Sequence, residues 1–119
     1  MKQIIQTGKT LGPYSPAIVT TGTKMIFISG QIADDLDTKV EVQTRQIMKK
    51  IEALLENAEA YLGDIIKTTI YLSNIDDFKV VNEEYAKFFP SEPPTRATLQ
   101  AAALPLNAKL MIEAIAIRA

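Results

Sequence analysis

The sequence predicts an α+β fold in the order βββαβαββ, with two helices on one face of a mixed sheet. Three observations carry this expectation. One apolar stripe of helical period runs between residues 47 and 62, a shorter one runs between 78 and 88, and β-branched stretches surround both. The 119 residues, 47% hydrophobic and 23% charged, fit one domain over residues 1–119.

Three short strands come first. Lys2–Gln6 is β-branched, and Ala17–Thr21 and Met25–Ser29 flank Thr21-Gly22-Thr23-Lys24, whose glycine suits a hairpin turn joining them. Pro13 and Pro16 force an extended loop around Tyr14-Ser15. The first helix follows, with Ile47, Ile51, Leu54, Leu55, Ala58 and Leu62 on one stripe. Thr38-x-x-Glu41 reads as a capping box at its start and Gly63 as the residue that ends it. Arg45, Lys49, Lys50, Glu52, Glu56 and Glu59 form its solvated face.

Ile65–Leu72 is a strand. A second helix spans Asp76–Phe89, with Phe78, Val81, Tyr85 and Phe88 buried, and Pro90, Pro93 and Pro94 end it. Two last strands, Thr95–Ala101 and Lys109–Ile117, are separated by a turn around Leu104-Pro105-Leu106-Asn107. In the final strand Leu110, Ile112, Ala114 and Ala116 point one way, and Met111, Ile115 and Ile117 point the other. Two helices cover only one of these apolar faces. The other needs a second subunit, so the chain is expected to be a homo-oligomer.

Absent residue types exclude whole classes of chemistry. Without Cys or His there is no thiolate nucleophile, no imidazole base and no Cys-ligated metal site. Asp34-Asp35-x-Asp37 is the only acidic cluster and reads as a solvated turn, so no metal is expected. A net charge of −1 argues against a broad nucleic-acid footprint. No Walker-type or GxGxxG loop is present. The first residues lack the apolar stretch of a signal peptide and no run reaches membrane-spanning length, which makes the cytoplasm the expected compartment.

Glu113 is the anomaly of the last strand, a carboxylate among Met111, Ile115 and Ile117. Alternation in Thr95–Ala101 puts Arg96, Thr98 and Gln100 on one face, and Arg96 is the candidate cation for Glu113. The pattern leaves three arrangements open: a structural Arg96–Glu113 ion pair, an edge-strand arginine facing solvent, or a cleft. In such a cleft the guanidinium would grip an anion and Glu113 would handle a proton or water. Tyr14, in Gly12-Pro13-Tyr14-Ser15-Pro16, is a packing residue or a presented phenol. Ser29 and Gly30 mark a bulge or a close approach of backbone to ligand, and Asn82 points into a cleft or bonds to backbone.

Over nearly its whole length the sequence resembles the RidA/YjgF family of reactive intermediate deaminases. The matching segments are Gly12-Pro13-Tyr14-Ser15, Ile28-Ser29-Gly30-Gln31, Gln43-Thr44-Arg45-Gln46, Val81-Asn82-Glu83-x-Tyr85, Pro94-Thr95-Arg96-Ala97 and Ile112-Glu113-Ala114-Ile115-Ala116, all in order. The resemblance implies a chorismate-mutase-like homotrimer with a central barrel and clefts between subunits. It implies hydrolysis of 2-imino acids such as 2-iminobutanoate and 2-iminopropanoate to 2-oxo acids and ammonia, without a cofactor. Carried over by residue, Arg96 would bind the substrate carboxylate, and Glu113 would orient water and shuttle protons. Tyr14 would close the pocket from the neighbouring subunit's side, and Ser29, Gly30 and Asn82 would line it. Thr98 stands where the family often has Cys, so thiol-specific chemistry is not expected while a hydroxyl contact to substrate survives. A ligand-binding or holdase trimer and an endoribonuclease or translation inhibitor are the rival functions within the family.

Overall fold

The structure, a computed structural model, describes residues 2–119. Its strands are β1 (Lys2–Ile5), β2 (Ala17–Thr20), β3 (Lys24–Gln31), β4 (Ile65–Leu72), β5 (Thr95–Gln100) and β6 (Leu110–Arg118), and its helices are α1 (Val40–Asn57) and α2 (Phe78–Ala86). The order is the expected βββαβαββ. Strict alternation in β6 sets the centre of the fold. Leu110, Ile112, Ala114 and Ala116 are buried under the helices and meet Ile70 and Leu72 of β4 there. Ile47, Ile51 and Leu55 of α1, with Val81 and Tyr85 of α2, close the core from above. The four-stranded sheet runs β3-β6-β4-β5, with β4 and β5 parallel and the other pairs antiparallel.

Five local expectations are corrected, the last of them the length of the second helix. The Gly22 turn does not join β2 and β3 as a hairpin: β2 pairs with β1 in a separate two-stranded ladder, and β3 pairs with β6. Eight-residue β3 finds a nine-residue partner in β6, where β2 offers only four residues. The turn instead packs on the end of β6, where a Cβ at Gly22 would lie 2.3 Å from Ile117 Cγ2. The Thr38 capping box does not form, because the Thr38 hydroxyl donates to Asp35 O at 3.1 Å and α1 begins after Lys39. Gly63 does not end α1 either; Glu59 takes the left-handed turn at φ 58°, and Gly63 sits in a 3-10 turn, Leu62–Asp64. Leu54 drifts off the buried stripe and is 42% exposed.

The second helix is shorter than expected because a 3-10 turn, Ile75–Asp77, precedes it, with the Asn74 side chain accepting from Asp76 N at 3.0 Å. Asp34-Asp35-x-Asp37 forms a turn in which Asp37 N donates to Asp35 Oδ1 at 3.1 Å. Among the described residues, no helix is long and apolar enough to cross a membrane.

The face of the four-stranded sheet away from the helices stays open. Phe27 is 69% exposed and Met25 54%, and Leu99 on β5 is exposed as well. Between them lie Tyr71, Met111, Glu113, Ile115 and Ile117, all half-buried. Truncating the helix side should tell on stability directly: Ile51→Ala is expected to cost about 2–5 kcal/mol in urea unfolding. The exposed-face control Lys49→Ala should stay within about 0.5 kcal/mol.

Candidate functional site

Arg96 lies on β5 opposite Thr68 of β4, which in turn is opposite Ala114 of β6. Cross-strand partners share a face, so Arg96 points to the helix side of the sheet. There its guanidinium lies among aromatic rings. The Cζ atom is 5.2 Å from the ring centre of Tyr85, 5.3 Å from Tyr14 and 5.7 Å from Phe78. Nε and Nη1 are buried and make no hydrogen bond, and no ion pair among the described residues includes Arg96. Burial pulls the Arg96 pKa below its ordinary value, opposed by the Tyr85 and Tyr14 phenols.

Each wall of this cage has its own support. The Tyr14 loop is tied to the start of β5: Ser15 N donates to Pro94 O at 3.1 Å, and the Ser15 hydroxyl donates to Pro93 O. Within the loop, Gly12 O accepts from Thr10 Oγ1 at 2.7 Å and from Tyr14 N at 2.9 Å. A Cβ at Gly12 would lie 2.9 Å from Arg96 Nη2 and 3.2 Å from Asn82 Nδ2, so the loop backbone closes directly over both side chains. Phe78, Asn82 and Tyr85 all come from α2. That helix is held to α1 by Glu84, which takes Arg45 Nη1 at 2.8 Å, with Lys87 Nζ at 3.0 Å on its other oxygen. The Tyr85 hydroxyl shares a 2.7 Å hydrogen bond with Thr68 Oγ1. Thr98, two residues along β5 on the same face, has a buried hydroxyl without a partner.

Glu113 is elsewhere. It is opposite Thr69, which is opposite Ala97, and this row faces away from the helices. The Arg96–Glu113 ion pair is therefore not made within the chain. Glu113 Oε1 instead accepts from the Tyr71 hydroxyl at 2.6 Å, and that bond raises the Tyr71 pKa. Ser29 and Gly30 belong to β3, the edge opposite β5, which puts roughly three strand spacings, about 14 Å, between them and Arg96. The register of β3 shifts between Ile28 and Gln31, so the Ser29–Gly30 bulge is present. A cavity of about 290 Å³ on this open face is lined by Phe27, Ser29, Lys67, Thr69, Glu113 and Ile115. A larger groove of about 670 Å³, between Tyr61, Phe88 and Arg118, touches none of the site residues expected from sequence.

The expected residues thus form two groups, Arg96 with Tyr14, Asn82 and Thr98, and Glu113 with Ser29 and the Gly30 bulge. The Tyr14 ring lies 5.3 Å from the Arg96 guanidinium carbon of the same chain. Sequence reasoning missed Phe78 and Tyr85 as cage walls, since their helical spacing reads as plain core. It also missed Tyr71 as the partner of Glu113; period-two alternation from Thr69 was the available signal.

Comparison with known proteins follows the same outline. A family model described as Endoribonuclease L-PSP matches residues 5–118. The chain is 44% identical to Reactive Intermediate Deaminase A, chloroplastic, of Arabidopsis thaliana, over 97% of its own length and 65% of that protein's. It is 37% identical to the human 2-iminobutanoate/2-iminopropanoate deaminase, over 99% of this chain and 91% of the human one. Among solved structures, E. coli TdcF with bound serine superimposes at a TM-score of 0.77 with 37% identity, covering 98% of this chain and 99% of TdcF.

Burial raises the Tyr85 pKa from 10.0 to about 12, against a lowering pull from the Thr68 hydrogen bond and the Arg96 charge. Below pH 10 both folded and unfolded chains keep this proton. Between the two pKa values only the folded chain does, so stability falls as pH rises, by on the order of 2–3 kcal/mol in total. Tyr85→Phe should be less stable at neutral pH, from the orphaned Thr68 hydroxyl, yet lose less stability between pH 10 and 12. Parallel urea titrations across that range check this; equal slopes in both proteins would contradict it.

Proposed function

The chain belongs to the RidA/YjgF family, and on that premise we propose that it hydrolyses small 2-imino acids, 2-iminobutanoate and 2-iminopropanoate among them, to 2-oxo acids and ammonia. The observation that carries this reading is the Arg96 guanidinium, which is buried among three rings with two nitrogens unpartnered and no carboxylate beside it. A planar cation in that state is matched by a planar anion, and a bidentate carboxylate fits it best. The serine bound to E. coli TdcF, itself a small carboxylate, supports the same class of ligand.

In this reading Arg96 anchors the carboxylate, Tyr14 and Asn82 border it, and the Gly12 backbone covers it. An iminium carbon is already electrophilic, so the protein needs mainly to hold the acid and place water. The water oxygen bonds to C2 as the C=N π pair moves onto nitrogen, a proton passes from that water to the nitrogen, the C–N bond breaks with its electron pair leaving on ammonia, and the C2 hydroxyl becomes the ketone on losing its proton. Glu113 is the carboxylate we assign to water and proton handling. Because it faces away from its own Arg96, it enters such a pocket only from a second copy, as do Ser29 and Gly30.

This makes assembly part of the proposed chemistry. The exposed Phe27, Met25 and Leu99 on the open face supply the apolar surface for it, and a homotrimer with these faces turned to a shared centre is the arrangement proposed. Imine decay, with a dehydratase generating substrate in situ, tests both parts. Arg96→Ala should slow decay by on the order of a hundredfold, with Arg96→Lys only partly restoring it. Mixing unfolded Arg96→Ala and Glu113→Gln chains and refolding them together should recover a fraction of activity, since some pockets then hold both intact groups. Undiminished decay in Arg96→Ala would reject the assignment, and no recovery on mixing would reject the shared pocket.

A further inference from the structure

The Glu113 carboxylate is held from one side only. On β4 its neighbours are Thr69, directly opposite, and Tyr71, two residues along the same face and opposite Met111. The Tyr71 hydroxyl donates to Oε1 at 2.6 Å. Lys67, the other titratable side chain of β4 on this face, turns to the threonine instead, donating from Nζ to Thr69 Oγ1 at 3.1 Å. No salt bridge among the described residues includes Glu113. The side chains flanking it from β3, β5 and β6 are Phe27, Ala97, Leu99, Met111 and Ile115, none of which titrates. On the side of β6 away from Tyr71, β3 slips register between Ile28 and Gln31, so Glu113 meets a bulge there rather than a paired residue. The cavity of about 290 Å³ opens at that bulge, and its lining includes Ser29 and Glu113 but not Tyr71.

We propose that Tyr71 is a positioning residue for Glu113: it pins Oε1 from the side away from the cavity and leaves Oε2 as the oxygen that takes and returns the water proton. The inference rests on the assignment of Glu113 to proton handling. A glutamate on an open sheet face has three rotatable torsions and, untied, spreads over several rotamers. A hydrogen bond from a hydroxyl to an ionised carboxylate is short and among the stronger kinds, so it selects one of them. Proton transfer to or from a group in place is faster than to one that must first be found there. The phenol is also a safe donor. The hydrogen bond to Glu113, more than burial, raises the Tyr71 pKa above its ordinary value, so the hydroxyl keeps its proton at neutral pH and goes on donating.

Tyr71→Phe removes the hydroxyl and keeps the ring, so it cuts the tie without opening the face. In the imine-decay assay it should lower kcat about tenfold while KM stays within about twofold of the parent, with the same assembly mass by sedimentation. An unchanged kcat, a loss carried by KM, or a loss that comes with a smaller assembly would overturn the inference. A second readout needs no turnover. With carbon-13 at the tyrosine Cζ positions, the Tyr71 signal should mark ionisation at a lower pH in Glu113→Gln than in the parent, because the carboxylate that holds the phenol proton is gone. A midpoint that stays put would show that the two side chains do not meet in solution and would overturn the inference as well. Failure of the Glu113 assignment looks different: Glu113→Gln would then hydrolyse the imine as fast as the parent does.

Discussion

A cation without a counter-charge is the constraint around which this molecule is arranged. Burying a guanidinium is costly unless something compensates, and here the compensation is three aromatic rings rather than an acid. Each such contact contributes roughly 0.5–2 kcal/mol, enough to hold the side chain in place and too little to saturate it. The rings also leave the hydrogen-bonding edge unused. Much of the surrounding fold serves this compromise. The Glu84 tie fixes α2 on α1, the Thr68–Tyr85 bond fixes one ring, and Ser15 fastens the Tyr14 loop to the prolines ahead of β5.

The sheet then divides the chemistry in two. Its helix side holds the buried Arg96 guanidinium with two nitrogens unpartnered, while its open side holds a carboxylate already engaged by Tyr71 at 2.6 Å. Under the proposed chemistry neither side of the sheet suffices alone. A chain whose polar groups point to opposite faces, with apolar residues exposed around one of them, makes functional sense when copies are juxtaposed. In the proposed assembly the exposed apolar surface would bring the two groups together, which would couple stability of the assembly to activity.

How much of this was legible in the sequence depends on the range of the determinant. The β6 alternation and the Ile47–Ile51–Leu55 stripe are local and periodic, and they appear as read. Strand pairing is not local. Thr21-Gly22-Thr23-Lys24 has the composition of a hairpin turn, yet the length of β6 and the packing of Gly22 on Ile117 decide where β3 goes. Thr38 failed as a cap for a similar reason, since Asp35 O competes for its hydroxyl. Arg96 and Glu113 stand out by residue type within apolar strands. Alternation gives each one's face relative to its own neighbours, but the relation between strands is set by register, here Thr68 with Arg96 and with Ala114. Tyr85 shows the converse limit, because helical spacing marks it as core without revealing that its ring also walls the guanidinium.

The most direct test is the side-chain Nε–H resonance of Arg96 in nitrogen-edited NMR, followed while 2-oxobutanoate is added. Capture of the carboxylate by the free edge of the guanidinium predicts a saturable downfield shift and slower exchange with water, neither of which uncharged 2-butanone should produce. A resonance that stays put at saturating acid would contradict the account at its root.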